Sequence, residues 1–143
     1  MNNYSFYIPN NIELIFDFFG DLAIKPNKPY SKKEKYEVLQ WVGKLLKSEI
    51  LYAGEYDNEK KFKKWNLPIN EIIQKIECEW NEDLEFPEFY NLVWFSYQKW
   101  YIEALKKRGL TETKDWNNFI KNEIGDLEKW IKENKPTRTK KDE

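Results

Sequence analysis

Hydrophobic residues recur every three or four positions over long parts of this chain, which is the pattern of helices that bury one face. Residues 10–19 begin with Asn residues that suit an N-cap and keep apolar side chains on one face up to Gly20. Residues 31–48 carry a longer apolar stripe behind a capping box, in which Ser31 and Glu34 accept hydrogen bonds from each other's backbone N–H groups. Both segments are predicted to be helices.

Two helices are predicted in the next part of the chain. The stripe that ends at Trp80 predicts a helix capped by Asn70. Pro87 suits a first helical turn, and the segment it starts reaches Lys107 before a Gly that marks a helix end. The middle of this segment is apolar on nearly every side, so we expect a buried central helix. The composition of residues 92–97 fits a strand as well, and the sequence leaves that alternative open.

The last apolar stripe covers residues 116–131 and predicts a final helix, with Thr111 or Thr113 as its cap. Residues 135–143 are charged and carry too few apolar side chains to pack, so we expect them to form a disordered tail. Residues 1–134 show neither an internal repeat nor a linker, and we expect them to form a single domain.

The helical pattern weakens in the middle of the chain. Residues 49–56 have the composition of a short strand or an extended turn, and residues 58–65 that of a short basic helix or loop. The predicted fold class is therefore mainly α: a compact single domain of about six helices, with room for one short β-hairpin near residues 49–56.

Charge and residue content narrow the possible chemistry. The chain has 24 Lys and Arg against 25 Asp and Glu, so its overall charge gives no general attraction to nucleic acid. His is absent, which removes the commonest general base and the usual zinc ligand. Cys78 is the only cysteine, so an internal disulfide is impossible. We see neither a signal peptide nor the roughly 18 apolar residues of a membrane span, and expect a cytoplasmic protein without a membrane partner.

Negative charge is concentrated between Glu77 and Glu88, where six carboxylates occur without a Lys or Arg. Such a cluster attracts a positively charged partner, and the aromatic residues among the carboxylates could supply contacts that exclude water. The residues expected to bind a partner are Glu79, Trp80, Glu82, Asp83, Glu85, Phe86, Glu88 and Tyr90. The aromatic members could instead belong to the core.

Two chemical uses of these carboxylates fit the sequence poorly. A calcium loop needs a central Gly, which the segment lacks, and helical di-iron sites need Glu-x-x-His pairs. Glu79 and Asp83 have a spacing that could place them on one helical face, but the chain has no nucleophile motif and no Gly-rich phosphate loop. We therefore expect no metal, no cofactor and no enzymatic activity. A solvated junction between two helices is the other interpretation of the same charges.

A basic segment supports a different function. It interleaves aromatic side chains with lysines, as a surface for single-stranded nucleic acid does. Its residues are Lys60, Lys61, Phe62, Lys63, Lys64 and Trp65. Arginine, which reads bases and phosphates with two parallel hydrogen bonds, is nearly absent from the chain. A nucleic-acid-binding regulator is therefore the alternative function, and nucleic acid is the less favoured partner.

The chain resembles the small immunity proteins of bacterial polymorphic-toxin and contact-dependent growth inhibition systems. The resemblance lies in its size, its Lys-, Asn- and Ile-rich composition, its high aromatic content and acid-rich stretches such as residues 77–88. It implies a non-enzymatic protein that binds a cognate toxin domain, often a nuclease, and blocks its active site or substrate surface. The near-neutral charge departs from the marked acidity of many nuclease inhibitors.

Overall fold

The structure, a computed structural model, describes residues 3–20, 22, 32–85, 88–89 and 91–136. Its α-helices are α1 (Lys32–Lys47), α2 (Ile69–Glu79), α3 (Lys99–Lys107), α4 (Trp116–Phe119) and α5 (Leu127–Asn134). Its strands are β1 (Leu51–Tyr56), β2 (Phe62–Lys64) and β3 (Trp94–Tyr97). Two 3-10 helices, Asn3–Tyr7 and Ile15–Phe18, precede α1, and a π-helix, Ile120–Ile124, continues α4.

A three-stranded antiparallel sheet corrects the predicted fold class. The strands lie in the order β2-β1-β3, with β1 paired to both neighbours. The fold is a mixed α/β domain with five α-helices in the described residues, so the prediction of a mainly α domain of about six helices is wrong. The single hairpin allowed near residues 49–56 accounts for only part of this sheet, because β3 comes from a distant part of the chain.

The origin of β3 explains the error. Phe95 and Tyr97 are buried whereas Trp94 and Ser96 are half-buried, which is the two-residue alternation of a strand. In the sequence every one of these positions except Ser96 is aromatic, so the segment looks uniformly apolar and equally suits a buried helix. The segment forms a strand rather than a helix because it pairs with one edge of β1, where Leu51 lies opposite Tyr97. The tail of the predicted central helix is helical, as α3, and so are Glu88 and Phe89 near its predicted start, whereas Pro87 itself lies outside the described residues.

The basic segment begins with a turn, which agrees with the predicted loop, and continues as β2, a strand that was not among the two forms predicted for it. Tyr56 pairs with Phe62 across the hairpin. The carboxylate of Asp57 accepts hydrogen bonds from the backbone N–H groups of Glu59 and Lys61, each at 2.9 Å. These donors, Lys61 first, lower the pKa of Asp57. The lysines of this segment are therefore held on a structured hairpin.

The predicted helices are confirmed to different degrees. α1 lies where the stripe predicts it, and its predicted cap Ser31 lies outside the described residues. α2 is confirmed too, but its N-cap is Pro68 rather than Asn70. Residues 10–19 form only the short 3-10 helix Ile15–Phe18, because the Asp17 carboxylate binds the backbone N–H groups before it and closes a tight turn.

The predicted final helix is broken into two. The side chain of Asp115 accepts from the N–H of Asn118 and begins α4, and that of Asp126 accepts from the N–H of Lys129 and begins α5. Gly125 separates them with φ 85°, a conformation that only glycine adopts readily. Asp, a preferred N-cap residue, takes the role predicted for Thr111 or Thr113.

The core joins the helices to the inner face of the sheet and is rich in aromatic side chains. Two buried tyrosines attach the N-terminal segment to it: the Tyr97 hydroxyl donates to the carbonyl of Phe6, and the Tyr101 hydroxyl to that of Tyr7, each at 2.6 Å. Within the described residues, no helix combines the length and apolar character that crossing a membrane requires. The predicted tail is described at residues 135–136 only.

Candidate partner-binding surfaces

The acid-rich segment begins in the last turn of α2 and continues beyond its end, and one of its residues, Trp80, lies in the core. Trp80 is 1% exposed and its ring packs against that of Phe89, with the ring centroids 5.5 Å apart. A partner therefore cannot reach Trp80 on the folded protein. The alternative prediction, that the aromatic residues belong to the core, is correct for Trp80. The other two expected anchors, Phe86 and Tyr90, lie outside the described residues.

Lys35 of α1 holds this end of α2 in place. Its ammonium nitrogen lies 2.8 Å from the carbonyl oxygen of Glu77 and 2.7 Å from that of Trp80. Carbonyl groups at a helix C-terminus lack partners within the helix, so Lys35 supplies the missing donors. The carboxylate of Glu77 also lies near this ammonium nitrogen, at 3.8 Å. The acid-rich segment is thus fixed to α1 at its first residues.

The carboxylates of the segment form two groups: those that lie beside a lysine, and those that form no ion pair among the described residues. Glu79 forms an ion pair of 3.0 Å with Lys75, one helical turn before it. The carboxylate of Glu88 accepts a hydrogen bond from the backbone N–H of Glu85 at 3.2 Å. Within the part of the chain that the structure describes, no Lys or Arg forms an ion pair with the four exposed carboxylates that follow α2. These residues, which we name the acidic surface, are Glu82, Asp83, Glu85 and Glu88.

The lysines of the hairpin are exposed but largely balanced by neighbours. Lys63 lies 3.7 Å from Asp57, and Lys61 lies 4.0 Å from Glu59. The ammonium of Lys64 lies 4.8 Å from the centre of the Tyr52 ring. The hairpin therefore presents less free positive charge than its four lysines imply.

The outer face of the sheet carries an aromatic cluster. Tyr56 is 45% exposed and packs edge-on against Phe62 and Trp94, at centroid distances of 5.7 and 5.0 Å. Trp65, by contrast, donates its ring N–H to Glu55 and lies under the ammonium of Lys75. The basic segment thus contributes Phe62, but not Trp65, to an exposed aromatic group.

A large groove lies between α1, α2 and α5, and no pattern in the sequence predicts it. Its volume is about 1160 Å³, and its lining is more apolar than polar. Trp41, Ile69 and Ile73 form apolar parts of the lining and are half-buried. Ile69 and Ile73 belong to the apolar stripe that predicts burial in α2, whereas Trp41 lies outside the predicted stripe of α1. The packing of the three helices leaves them partly open, and this packing has no local signal in the sequence.

Four lysines line the groove, and two of them form ion pairs with acidic side chains. Lys44 forms an ion pair of 2.8 Å with Glu128, and Lys135 pairs with Glu49 at 3.6 Å. Lys47 and Lys132 also line the groove, and neither forms an ion pair with an acidic side chain among the described residues. The groove thus combines an apolar lining with two uncompensated positive charges.

Tyr36 extends this surface along α1. It is 65% exposed, although it was predicted to lie on the buried stripe. Gln40, Gly43 and Lys47 follow it at intervals of four, three and four residues, so all four share one face of the helix, and the last three line the groove. An exposed aromatic residue therefore stands one helical turn beyond the groove, next in sequence to Lys35.

The acidic surface and the groove lie at opposite ends of α2. Ile69 and Ile73 at its start line the groove, and the acidic surface follows its last residue. The 11 residues of α2 separate these ends by about 15 Å. The two surfaces are close enough to be covered by a single partner domain.

We compared the chain with protein-family models, with curated proteins and with solved structures. None of the three comparisons finds a match. The roles of the acidic surface, of the hairpin with its aromatic cluster and of the groove are therefore inferred from their own geometry and charge.

Proposed function

We propose that this protein is a non-enzymatic immunity protein that binds a cognate toxin domain in the cytoplasm and blocks its activity. The observation that carries the proposal is the acidic surface: four exposed carboxylates without a cationic partner among the described residues. The toxin domain would present a complementary basic surface, as the substrate groove of a nuclease does.

The way in which the acidic surface is fixed supports a binding role. Ordering a segment on binding costs conformational entropy and weakens the complex. Here the segment contains buried Trp80 and is bound to α1 through Lys35, so part of this ordering has already taken place in the free protein. A preformed negative surface also accelerates the encounter with a basic partner.

Tyr36 is the aromatic anchor that we propose in place of Trp80, because it is exposed. It is largely exposed, and its neighbour Lys35 contacts the start of the acid-rich segment. Tyr is enriched among the residues that dominate binding energy at interfaces. We include Tyr36 with the acidic surface in the proposed interface.

The proposal is tested by co-expressing this protein with the domain encoded by the neighbouring gene, which the proposal expects to be toxic. We expect the two chains to co-purify and the cells to grow, whereas the toxic domain alone arrests growth. A wild-type protein that neither captures the domain nor restores growth would contradict the proposed function.

The second candidate is binding of single-stranded nucleic acid by the hairpin. The aromatic cluster on the outer face of the sheet favours it, because bases stack on exposed aromatic rings. The carboxylates of Glu55, Asp57 and Glu59 on the same hairpin weaken it. Binding of a single-stranded RNA oligonucleotide that weakens with salt and is lost when the four hairpin lysines become Ala would support this candidate.

A further inference from the structure

We propose that the groove between α1, α2 and α5 receives an acidic amphipathic helix of the same toxin domain. The proposal rests on the proposed function, and it adds a second contact at the other end of α2 from the acidic surface. Its basis is the combination of an apolar lining, two uncompensated lysines and walls made of helices.

The apolar lining is held rigidly. Trp41 packs edge-on against Phe6, with ring centroids 4.9 Å apart, and lies under the ammonium of Lys44 at 4.8 Å. Ile73 faces Gly43, where an added Cβ atom would lie 3.9 Å from its Cδ1 atom. Rigid apolar contacts of this kind lose little entropy on binding, which favours them as anchors.

The positive charge at the rim of the groove favours an occupant with negative charge. Lys44 and Lys135 are already paired, so Lys47 and Lys132 provide the positive charge that a partner can use. Glu128 is the acidic side chain in the lining, and Lys44 neutralises it at 2.8 Å. An occupant with Asp or Glu beside its apolar residues is therefore complementary to the groove.

The walls of the groove determine the backbone form of the occupant. Each wall is an α-helix, whose backbone N–H and C=O groups are bonded within the helix. An extended strand needs a continuous row of free backbone groups, which helical walls offer only at their ends, whereas a helix satisfies its own groups and needs only side-chain contacts. The volume of about 1160 Å³ exceeds the roughly 300–1,000 Å³ typical of small-molecule sites, which suits the side chains of a helix.

The two surfaces together define the charge pattern of the partner. Its acidic helix lies in the groove at the start of α2, and its basic surface meets the carboxylates beyond the end of α2. Tyr36, on the same face of α1 as Lys47, lies on the path between them. A domain with the opposite arrangement of charges binds less well at both ends.

The experiment compares the dissociation constant of the complex with the toxin domain for wild type and for the charge-reversal variant Lys47→Glu/Lys132→Glu. We expect affinity to fall at least ten-fold for the reversal and by a smaller factor for Lys47→Gln/Lys132→Gln. Lys106→Glu/Lys107→Glu, at exposed positions of α3, makes the same change in net charge and should bind as wild type does. Circular dichroism checks that each variant is folded.

A second measurement identifies the occupant. Hydrogen–deuterium exchange of the toxin domain in the complex should show protection of an acidic helix, and reversing the acidic residues of that helix should restore binding to Lys47→Glu/Lys132→Glu. If the reversal binds as tightly as wild type, the groove proposal is overturned and the proposed function stands. If the wild-type protein does not bind the toxin domain, both are overturned. Protection of a strand or loop instead of a helix also overturns the groove proposal.

Discussion

At the scale of single residues, Lys35 links the core to the acidic surface. It is a charged side chain that is only 9% exposed, and it donates to two carbonyl groups at the end of α2. The sequence could not show this role, because Lys35 stands between Glu34 and Tyr36 on a helix with many other lysines. Its partners lie more than 40 residues away.

We predict that Lys35→Met lowers the free energy of unfolding by about 1–3 kcal/mol, since a buried carbonyl group, that of Trp80, and a partly buried one, that of Glu77, lose their donor. Met keeps the length of the aliphatic part of the side chain, so the loss of stability comes mainly from the missing hydrogen bonds. Lys33→Met on the exposed face of α1 is the matched control and should change stability by less than about 0.5 kcal/mol. Urea denaturation measures both, and equal stability of the two variants would show that Lys35 does not hold the segment.

Trp80 shows what a local pattern does and does not predict. Its place at the end of the apolar stripe of α2 indicated burial, and its carboxylate neighbours indicated a contact surface. The structure has it 1% exposed, so the helical periodicity was the better guide. Tyr36 is the opposite case: its stripe indicated burial, and it is exposed because it lies at the margin of the buried face.

At the scale of elements, the helices with amphipathic stripes were predictable and the sheet was not. α1 and α2 carry their signal within a few turns, so the sequence placed them well. The pairing of β1 with β3 joins segments about 45 residues apart, and β3 has no clear alternation of polar and apolar residues. The break at Gly125 had a local signal, since Gly is followed by the N-cap Asp126, but the continuous apolar stripe concealed it.

Replacing either of two glycines by alanine should change the stability of the protein, in opposite directions. A Cβ atom at Gly54 of β1 would lie 2.2 Å from the carbonyl oxygen of Lys63, so we predict that Gly54→Ala costs about 1–3 kcal/mol by forcing β2 away. At Gly43 of α1 the same atom would make an ordinary contact with Ile73, so Gly43→Ala should stabilise the protein by up to about 1 kcal/mol through helix propensity.

Thermal and urea denaturation of both alanine variants measure these effects. Gly20→Ala, where an added Cβ atom meets nothing within 4 Å, serves as a control for the general effect of removing a glycine. A Gly54→Ala variant as stable as Gly20→Ala would mean that β2 does not approach β1 as closely as described.

At the scale of the whole molecule, two tyrosines couple the N-terminal segment to the core. Burial is the main cause that raises the pKa of Tyr97 and of Tyr101 above that of an unfolded tyrosine. Above about pH 10 the unfolded chain releases these protons while the folded protein retains them, so the stability they contribute is complete below that pH and is lost above it.

We therefore predict that the free energy of unfolding falls above about pH 10 by up to ~1.4 kcal/mol per pH unit for each of the two tyrosines. Tyr101→Phe should be less stable at neutral pH, because the hydrogen bond to Tyr7 is lost, but its stability should fall less steeply between pH 10 and 11.5. Tyr36→Phe, at an exposed position, is the control. The same slope for Tyr101→Phe and wild type would contradict the buried placement of this hydroxyl.

The central claim concerns the charge distribution of the whole molecule, with the acidic surface at one end of α2 and the lysine-rimmed groove at the other. Sequence reasoning located four of the acidic residues, because their clustering is local. The ion pair of Glu79 with Lys75 and the burial of Trp80 also have local signals, the four-residue spacing of the two charges and the apolar stripe of α2. The groove has none, because it depends on how α1, α2 and α5 pack against one another.

The most direct test is the association rate constant with the toxin domain, measured at low and at physiological salt, for wild type and for Glu82→Lys/Asp83→Lys/Glu85→Lys. We predict that the variant associates at least ten-fold more slowly at low salt, and that the difference shrinks as salt screens the charges. Glu112→Lys/Glu123→Lys/Glu133→Lys makes the same change in net charge at exposed positions elsewhere and should associate nearly as fast as wild type. Equal association rates for the two variants would contradict a role for the acidic surface in binding.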